Sequence, residues 1–178
     1  MKYIVSQLRI MFLKCTIPIK QTICLLLLFV TLILNGFYFP MVLFAVDLTG
    51  SDKGDTLYGS MADDKIVGKK GLDSLYGSGG DDKIDGDSGD DFIQGDPGDD
   101  TLNGNDGNDI ILGGAGADKI DGGNGNDLLE SSFVIGSTSI SDGNNDTLTC
   151  GTGNDTAFIN PSDGDTASSD CESVVSTP

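Results

Sequence analysis

Aliphatic side chains recur at every ninth position between residues 50 and 130, and the residues between them are mostly polar or glycine. An aspartate stands two residues before each aliphatic residue, and a glycine opens each unit. The shared plan is G-x-x-G-x-D-x-(aliphatic)-x, and its fixed period is typical of a solenoid. The sixth-position aspartates are Asp55, Asp64, Asp73, Asp82, Asp91, Asp100, Asp109, Asp118 and Asp127.

Each unit predicts one short strand and one tight turn. The last three residues of a unit, such as Lys119-Ile120-Asp121, suit a strand whose middle side chain points inward. Nine residues cannot hold two strands and two turns, so two units must form one 18-residue turn. The predicted fold is all-β, a parallel β-roll. Its core has two facing columns: Leu57, Leu75, Ile93, Ile111 and Leu129 in one, and Ile66, Ile84, Leu102 and Ile120 in the other.

This predicted core is too thin to hold the roll together alone. Burying one aliphatic side chain contributes about 1.5–3 kcal/mol, whereas ordering the backbone costs about 1–2 kcal/mol for each residue. Stacking also places Asp73 near Asp91 and Asp82 near Asp100, where like charges oppose folding. A divalent cation between successive turns would remove this repulsion. Calcium fits best, because it takes about six to eight oxygen ligands in a flexible geometry.

Charge is distributed unevenly along the 178 residues, whose formal net charge is −18. Residues 1–46 carry four basic residues and no acidic one, so the rest carries six basic and 28 acidic residues, a net charge of −22. This excess of acid excludes a nucleic-acid partner, because phosphate recognition needs Lys and Arg. Histidine is absent, which excludes a Ser-His-Asp triad and a His-based zinc site. We therefore expect no enzyme activity.

The first 46 residues predict a targeting segment, because residues 1–20 are basic and residues 21–46 contain no charged residue. One interpretation is a secretory signal peptide cleaved near Ala45. The other is an uncleaved signal-anchor helix, since about 20 apolar residues span a bilayer. Both place the repeats outside the cell. We expect an extracellular or cell-surface protein that meets a membrane only through residues 21–46, if they are retained.

The repeat register breaks after Glu130, where the segment SSFVIGSTSI predicts a longer strand or loop. Units then resume with sixth-position Asp146 and Asp155, and the tail that follows has no aliphatic residue at the inward phase. The predicted parts are therefore the targeting segment 1–46, the roll 47–130, and irregular repeats with a C-terminal cap at 131–178. The side chains expected to cover the open end of the roll are Phe133, Val134, Ile135 and Phe158.

Cys150 and Cys171 form an even pair in the part of the chain that is predicted to be exported. Cysteines in an oxidising compartment form disulfides, so this pair predicts a disulfide. The bond would pin the C-terminal tail to the last repeat units. In the chain-entropy model, closing a loop of this length contributes roughly 3 kcal/mol.

The units resemble the calcium-binding nonapeptide repeats of RTX proteins, also called haemolysin-type repeats. The resemblance covers residues 50–130, with weaker units at 141–158. It implies a β-roll with Ca²⁺ between the loops of units n and n+2, held by sixth-position aspartates and by carbonyls of the loop glycines. The implied aspartate ligands are Asp73, Asp82, Asp91, Asp100, Asp109, Asp118 and Asp127. The implied glycine ligands are Gly77, Gly80, Gly86, Gly89, Gly95, Gly98, Gly104, Gly107, Gly113 and Gly116.

The first two units depart from the pattern, because Lys53 and Ala62 replace the fourth-position glycine. Asp55 and Asp64 are still included as candidate ligands, but these units are also candidates for an N-terminal cap. Nine units form seven same-side neighbour pairs, so we expect several Ca²⁺ ions and at most about seven in the regular repeats.

The function predicted on this basis is an extracellular calcium-binding repeat protein, structural or adhesive, that folds on Ca²⁺ binding after export. One alternative is a module displayed by a membrane-anchored surface protein. A secreted enzyme or toxin that carries the repeats as an accessory is the weakest alternative, because no segment before the repeats resembles a catalytic domain. The sequence does not identify a protein or cell-surface partner.

Overall fold

The computed structural model describes residues 44–132, 134–135, 138–139 and 142–176. These residues form a parallel β-solenoid of about seven turns, and none of them lies in a helix. In this part of the chain no helix is long and apolar enough to cross a membrane. The predicted targeting segment 1–46 lies almost entirely outside the described residues, so its helix stays a prediction.

Two parallel sheets of seven strands each form the solenoid. Sheet A runs in the order β1 (Asp47–Thr49), β3 (Lys65–Lys70), β5 (Lys83–Ser88), β7 (Thr101–Asp106), β9 (Lys119–Asn124), β13 (Thr147–Thr152) and β15 (Thr166–Ala167). Sheet B runs in the order β2 (Thr56–Tyr58), β4 (Ser74–Tyr76), β6 (Phe92–Pro97), β8 (Ile110–Ala115), β10 (Leu128–Ser132), β14 (Thr156–Ile159) and β16 (Ser173–Ser176). An antiparallel hairpin of β11 (Val134–Ile135) and β12 (Thr138–Ser139) follows β10 in the chain.

Neighbouring strands in the regular repeats pair with an offset of 18 residues, as Lys65 pairs with Lys83 and Lys83 with Thr101. Two nonapeptide units therefore make one turn, and the predicted parallel roll is confirmed. The aliphatic columns are also confirmed, because each inward residue from Ile66 to Leu129 is fully buried. Leu57 is only partly buried, since it lies on β2, the end strand of sheet B.

Most strands are longer than the three residues that the unit predicted. In sheet A, β3, β5, β7 and β9 each have six residues and run through the first three positions of the next unit. The loops of successive turns stack in register, so backbone pairing continues into them: Lys69 pairs with Asp87, and Asp87 with Asn105. These second-position residues have left-handed φ angles, 85° at Lys69 and 75° at Asp87.

The roll begins before the first predicted unit. β1 adds a strand at residues 47–49, and Leu48 packs against the core. The backbone N–H of Val46 donates a hydrogen bond to Asp64 Oδ1 at 2.5 Å. The sequence did not predict this strand, because Val46 stands where the other units have an aspartate.

The roll also continues beyond residue 130. β13 pairs with β9 at an offset of 28 residues, ten more than the regular offset, and the hairpin of β11 and β12 takes up this insertion. β15 and β16 then extend the two sheets by pairing with β13 and β14. Ala167 pairs with the inward Leu148 and packs against the core, so the prediction that the tail has no aliphatic residue at the inward phase is wrong.

The predicted apolar cover of the open end is not seen where it can be tested. Phe158 lies at an outward position of β14, because Ala157 takes the buried one. Phe133 and the side chains of Val134 and Ile135 fall outside what the structure describes. What covers this end is instead the pair of short strands β15 and β16.

Candidate metal sites

The sixth-position aspartates form two columns, one along each edge of the roll, where loops join the two sheets. The inward aliphatic residue lies two positions later, and residues two apart along a strand share a face, so the aspartate also turns inward. Each sixth-position aspartate from Asp64 to Asp127 exposes at most 4% of its surface. These carboxylates are therefore part of the interior and not of a solvated acidic face.

One oxygen of each carboxylate connects successive turns. Oδ1 of Asp82 accepts a hydrogen bond from the backbone N–H of Asp64, 18 residues earlier, at 2.7 Å. Asp100 Oδ1 accepts the N–H of Asp82 in the same way, also at 2.7 Å. The bond recurs along both columns as far as Asp155, where the N–H donor is that of Asp127. The aspartates thus hold the turns in register.

The other oxygen, Oδ2, is left without a partner. In most of these aspartates it is buried and accepts no hydrogen bond from any described residue. A buried carboxylate oxygen without compensation costs free energy, so each of these atoms needs a bound cation or a proton. The aspartates concerned are Asp73, Asp82, Asp91, Asp100, Asp109, Asp118, Asp127, Asp146 and Asp155.

A backbone carbonyl oxygen from the next turn approaches the Oδ2 atoms of the regular repeats. A Cβ atom placed on Gly77 would lie 2.2 Å from Asp82 Oδ2 and 2.4 Å from the carbonyl oxygen of Gly95. Further along the other column, a Cβ on Gly104 would lie 2.2 Å from Asp109 Oδ2. The glycine that opens each unit is required here, because any side chain would fill the space between the two oxygens.

Two of these carbonyl oxygens belong to residues that are not glycines and that the sequence did not predict as ligands. The Ser131 carbonyl oxygen lies 2.6 Å from a Cβ placed on Gly113, and the Cys150 carbonyl oxygen lies 2.7 Å from one placed on Gly122. Ser131 opens the unit that the insertion interrupts, and Cys150 opens the unit after it. A backbone carbonyl carries no side-chain signal, so only the strand register reveals these positions.

The fourth-position glycines are required by the backbone conformation and by close packing. Gly89 has a φ of 136°, and a Cβ there would lie 1.5 Å from the carbonyl oxygen of Gly71 in the turn below. A Cβ placed on Gly107 would lie 1.9 Å from the carbonyl oxygen of Gly89. Left-handed backbone and close stacking explain these glycines, and their part in metal binding stays a prediction.

The pKa values of the buried aspartates are raised. Desolvation is the largest cause at each, and the backbone hydrogen bond from the turn below opposes it in part. Neighbouring carboxylates raise the values further. The pKa reaches about 6 at Asp82, Asp91 and Asp127, about 7 at Asp100, Asp109 and Asp146, and about 8 at Asp118. Without a cation, the folded roll therefore binds protons on these groups at a higher pH than a free aspartate does.

The N-terminal units satisfy their carboxylates differently. Asp55 Oδ2 accepts hydrogen bonds from the N–H of Ser51 at 2.6 Å and from its hydroxyl at 2.8 Å. Asp64 Oδ2 accepts the N–H of Ser60 at 2.5 Å. The Ser51 backbone bond is the main reason why the pKa of Asp55 is lowered. These two aspartates, included among the predicted ligands, do not present the unpartnered oxygen that the later ones do.

At the C-terminal end other acids replace the sixth-position aspartate. The N–H of Asp146 donates to Asp165 Oδ1 at 3.0 Å, and the N–H of Asp155 donates to Glu172 Oε2 at 2.8 Å. Asp165 Oδ2 also accepts the Ser131 hydroxyl at 2.7 Å. The last turn thus ends the columns with protein hydrogen bonds.

Cys150 and Cys171 lie beside this last turn. Their Sγ atoms are 2.00 Å apart and their Cα atoms 5.1 Å apart, which is the geometry of a disulfide. Asp170 completes the one group of three possible side-chain metal ligands that converge among the described residues. Because its sulfurs are paired, this group does not offer a thiolate site, and a cation in the columns must draw on backbone carbonyls as well as carboxylates.

The donor set of the columns fits calcium. Each position offers a buried carboxylate oxygen and a backbone carbonyl oxygen from the next turn, and calcium accepts both in flexible geometry. Magnesium demands a tighter octahedron, and zinc prefers nitrogen and sulfur. Asp Oδ2 and the carbonyl oxygen of the first-position residue would hold the ion. The positive charge of the ion would balance the negative charge of the buried carboxylates.

The fold and these oxygen sites define a β-solenoid whose turns are built to enclose hard cations. Residues 47–71, 58–93 and 94–129 match the RTX calcium-binding nonapeptide repeat, which is present in four copies. Residues 47–129 therefore carry the repeats of this family, which bind Ca²⁺ in general, and the resemblance seen in the sequence is confirmed. Neither a curated protein nor a solved structure matches the chain.

Proposed function

We propose that this chain is an extracellular calcium-binding repeat protein, structural or adhesive and without catalytic activity, whose roll folds when Ca²⁺ binds after export. The observation that carries the proposal is the set of buried Oδ2 atoms without hydrogen-bond partners. In the seven aspartates from Asp73 to Asp127, this atom lies beside a glycine that leaves room for one further group. No arrangement of hydrogen bonds within the described roll compensates them.

Charge supports the dependence on calcium. Residues 47–178 carry 28 acidic and six basic residues, and the columns bury many of those acids in the core. A cation that binds only the folded roll stabilises it by mass action. Calcium is scarce in the cytosol and abundant outside cells, so the chain would stay unfolded before export and fold afterwards.

We propose seven ions in the regular repeats, one for each buried and unpartnered aspartate from Asp73 to Asp127. The hydrogen-bonded Oδ2 atoms of Asp55 and Asp64 favour a capping role for the first two units. The Cys150–Cys171 pair supports a disulfide and an oxidising, extracellular location. RTX repeats are generally structural rather than catalytic, which supports the absence of an enzymatic role.

The test is far-UV circular dichroism of the full chain in a mild detergent, titrated with CaCl₂ and then with a chelator. We expect a coil-to-β transition that calcium induces and chelation reverses, with MgCl₂ as the matched control that gives little change. A spectrum that neither salt alters would contradict the proposal. Sequencing the N terminus of the protein from expressing cells tests export: a new terminus near Ala45 supports secretion, and an intact segment 1–46 in membranes supports display.

A further inference from the structure

The two edges of the roll are not equivalent. The loops that lead from sheet B into sheet A form one edge, named here the acidic edge: residues 59–64, 77–82, 95–100 and 113–118. The loops that lead from sheet A into sheet B form the other, named the mixed edge: residues 50–55, 68–73, 86–91, 104–109 and 122–127. Each edge carries its own column of sixth-position aspartates with unpartnered Oδ2 atoms.

The loops of the two edges carry different net charges. The four loops of the acidic edge contain eight acidic residues and no basic one. The five loops of the mixed edge contain nine acidic residues and three lysines, Lys53, Lys69 and Lys70. The mean charge of a loop is therefore −2 on the acidic edge and close to −1 on the mixed edge. Lys69 acts on the mixed column, because its charge contributes to lowering the pKa of Asp55, after the hydrogen bonds from Ser51.

The fifth position of each loop carries much of this difference. On the acidic edge, Asp63 Oδ1 accepts the N–H of Asp81 at 3.1 Å, and Asp81 Oδ1 accepts the N–H of Asp99 at 3.0 Å. On the mixed edge, Asn108 Oδ1 accepts the N–H of Asn126 at 2.9 Å. On the acidic edge this backbone bond is thus accepted by carboxylates, whereas on the mixed edge it is accepted by the carboxylate of Asp90 and by the amides of Asn108 and Asn126.

These exposed acids act on the buried carboxylates beside them. Desolvation is the main cause of the raised pKa of Asp82, but the carboxylates of Asp63 and Asp81 raise it further. Asp81 also contributes to the raised pKa of Asp100. Asp127, whose fifth-position neighbour is Asn126, has no acid in its own loop that raises its pKa; after desolvation, the contributing charges are Asp155 and Asp121.

We infer that the two edges bind Ca²⁺ with different affinities and that the acidic edge fills first, with the fifth-position residue setting the difference. The inference rests on the proposed function, because it ranks the same calcium sites. An additional carboxylate beside a site raises its affinity for a divalent cation by roughly three- to tenfold at low ionic strength. When calcium fills the sites of the acidic edge, that side of the roll becomes ordered before the sites of the mixed edge are filled.

The fifth position allows an exchange that leaves the fold intact. Asp81→Asn with Asp99→Asn gives two loops of the acidic edge the amide that two loops of the mixed edge carry, and Asn108→Asp with Asn126→Asp does the reverse. Both pairs keep the Oδ1 acceptor for the next turn, as the native residues of the opposite edge show. Calcium binding to the full chain is measured by isothermal titration calorimetry at low ionic strength, with far-UV circular dichroism to show that each variant folds in calcium.

The wild-type chain should show a tighter and a weaker class of sites. Asp81→Asn with Asp99→Asn should weaken the tighter class by roughly three- to tenfold for each carboxylate removed, and Asn108→Asp with Asn126→Asp should tighten the weaker class by a similar factor. Ligand deletions assign the classes: Asp100→Asn should remove a tighter site and Asp109→Asn a weaker one. High ionic strength should reduce all these differences.

The possible failures are distinguishable. If the wild-type chain binds no calcium, the proposed function is wrong. If it binds calcium and folds, but both exchanges leave the titration unchanged, the inference about the edges is wrong and the proposed function stands. If Asp109→Asn removes a tighter site and Asp100→Asn a weaker one, the filling order is the reverse of the one inferred.

Discussion

The middle of the roll and its two ends differ in how their aspartate carboxylates are compensated. At the ends, protein groups satisfy the buried acids: Ser51 and Ser60 donate to the first two aspartates, and Ser131 donates to Asp165 in the last turn. In the middle, the seven aspartates from Asp73 to Asp127 keep an unpartnered Oδ2. The first two units and the last turn are therefore self-sufficient, whereas the turns between them, which also hold the unpartnered Oδ2 atoms of Asp146 and Asp155, depend on something bound there.

Removing the cation should have the largest effect, because it leaves the buried Oδ2 atoms in the middle of the roll without compensation. At neutral pH we expect chelation to abolish most of the β-structure of the full chain. At low pH, protons bound to the aspartates should stabilise the roll in place of calcium. A raised folded-state pKa means that protonated aspartates stabilise the calcium-free roll fully below about pH 4, and that this effect is lost as the pH rises through about 6 to 8.

Circular dichroism of calcium-stripped protein checks this prediction. The β signal should grow as the pH falls from about 8 to about 5, since the pKa values of the buried aspartates lie in this window. The calcium-loaded protein serves as the control and should change little over the same range. A β signal that falls with acid would show that the unpartnered oxygens do not bind protons in the folded roll.

Gly89→Ala should have the next largest effect. Its Cβ would lie 1.5 Å from the Gly71 carbonyl oxygen, and Gly89 has a φ of 136°. We expect the free energy of unfolding in saturating calcium to fall by more than about 4 kcal/mol. Gly143→Ala is the control: Gly143 has a φ of 79° but no atom within 4 Å of the added Cβ, so about 1 kcal/mol should be lost. Equal losses in urea denaturation would mean that close stacking in the middle is unimportant.

Replacing the cysteine pair tests the C-terminal end. Cys150 and Cys171 are 21 residues apart, and removal of such a cross-link costs about 2–4 kcal/mol. In calcium we expect Cys150→Ser with Cys171→Ser to reduce amide hydrogen-exchange protection mainly in β13 to β16, while β5 to β8 stay protected. Loss of protection throughout the roll would instead show that the middle depends on this end.

Asp100→Asn should change the sign of its effect with calcium. In saturating calcium the variant loses a ligand, and we expect its free energy of unfolding to fall by about 2 kcal/mol. Without calcium the variant removes a buried charge with a raised pKa, so it should be more stable than the wild type at neutral pH. Asp55→Asn is the control at the N-terminal end, where calcium should make little difference. Thermal unfolding with and without calcium would disprove the prediction if both variants behaved alike.

Ser78→Gly and Ser60→Gly should have the smallest effects, and opposite ones. Ser78 is a second-position residue in the middle with a φ of 81°, a strained angle for any residue but glycine. Glycine there should add up to about 1 kcal/mol to the free energy of unfolding. Ser60 occupies the same position near the N-terminal end, where its N–H and hydroxyl bond Asp64. Its replacement should cost about 1 kcal/mol in urea denaturation.

The sequence predicted the repeating part of the molecule well, because a side chain there recurs at fixed phase. An aliphatic residue every nine positions determined that two units make a turn, and Ile84 and Leu102 stack as this arithmetic required. The aspartate two residues earlier marked where metal ligands would collect. Those signals are local, since each depends only on the alternation of side chains along a strand.

The non-repeating parts escaped prediction for a physical reason. The loop before β1 has Val46 at the sixth position and no aspartate there, so nothing in its sequence marks β1 as a turn of the roll, yet Leu48 packs against the core. The register after the insertion was equally hidden, because pairing of Lys119 with Thr147 depends on how the intervening hairpin loops out. Backbone carbonyls such as that of Cys150 become site groups only through this register.

By itself, the sequence determined the period of the roll, its two aliphatic columns and the acids that line its edges, because these are properties of side-chain order along one strand. Only the tertiary structure decided which oxygens stay unpartnered. Asp55 and Asp100 occupy the same place in the repeat, but Ser51 satisfies one and no described group satisfies Oδ2 of the other. Ser51 and Asp96 each stand four residues before their aspartate, but only Ser51 donates to it. Asp96 has a left-handed φ of 72°, and the conformation of these loops is decided only in the folded chain.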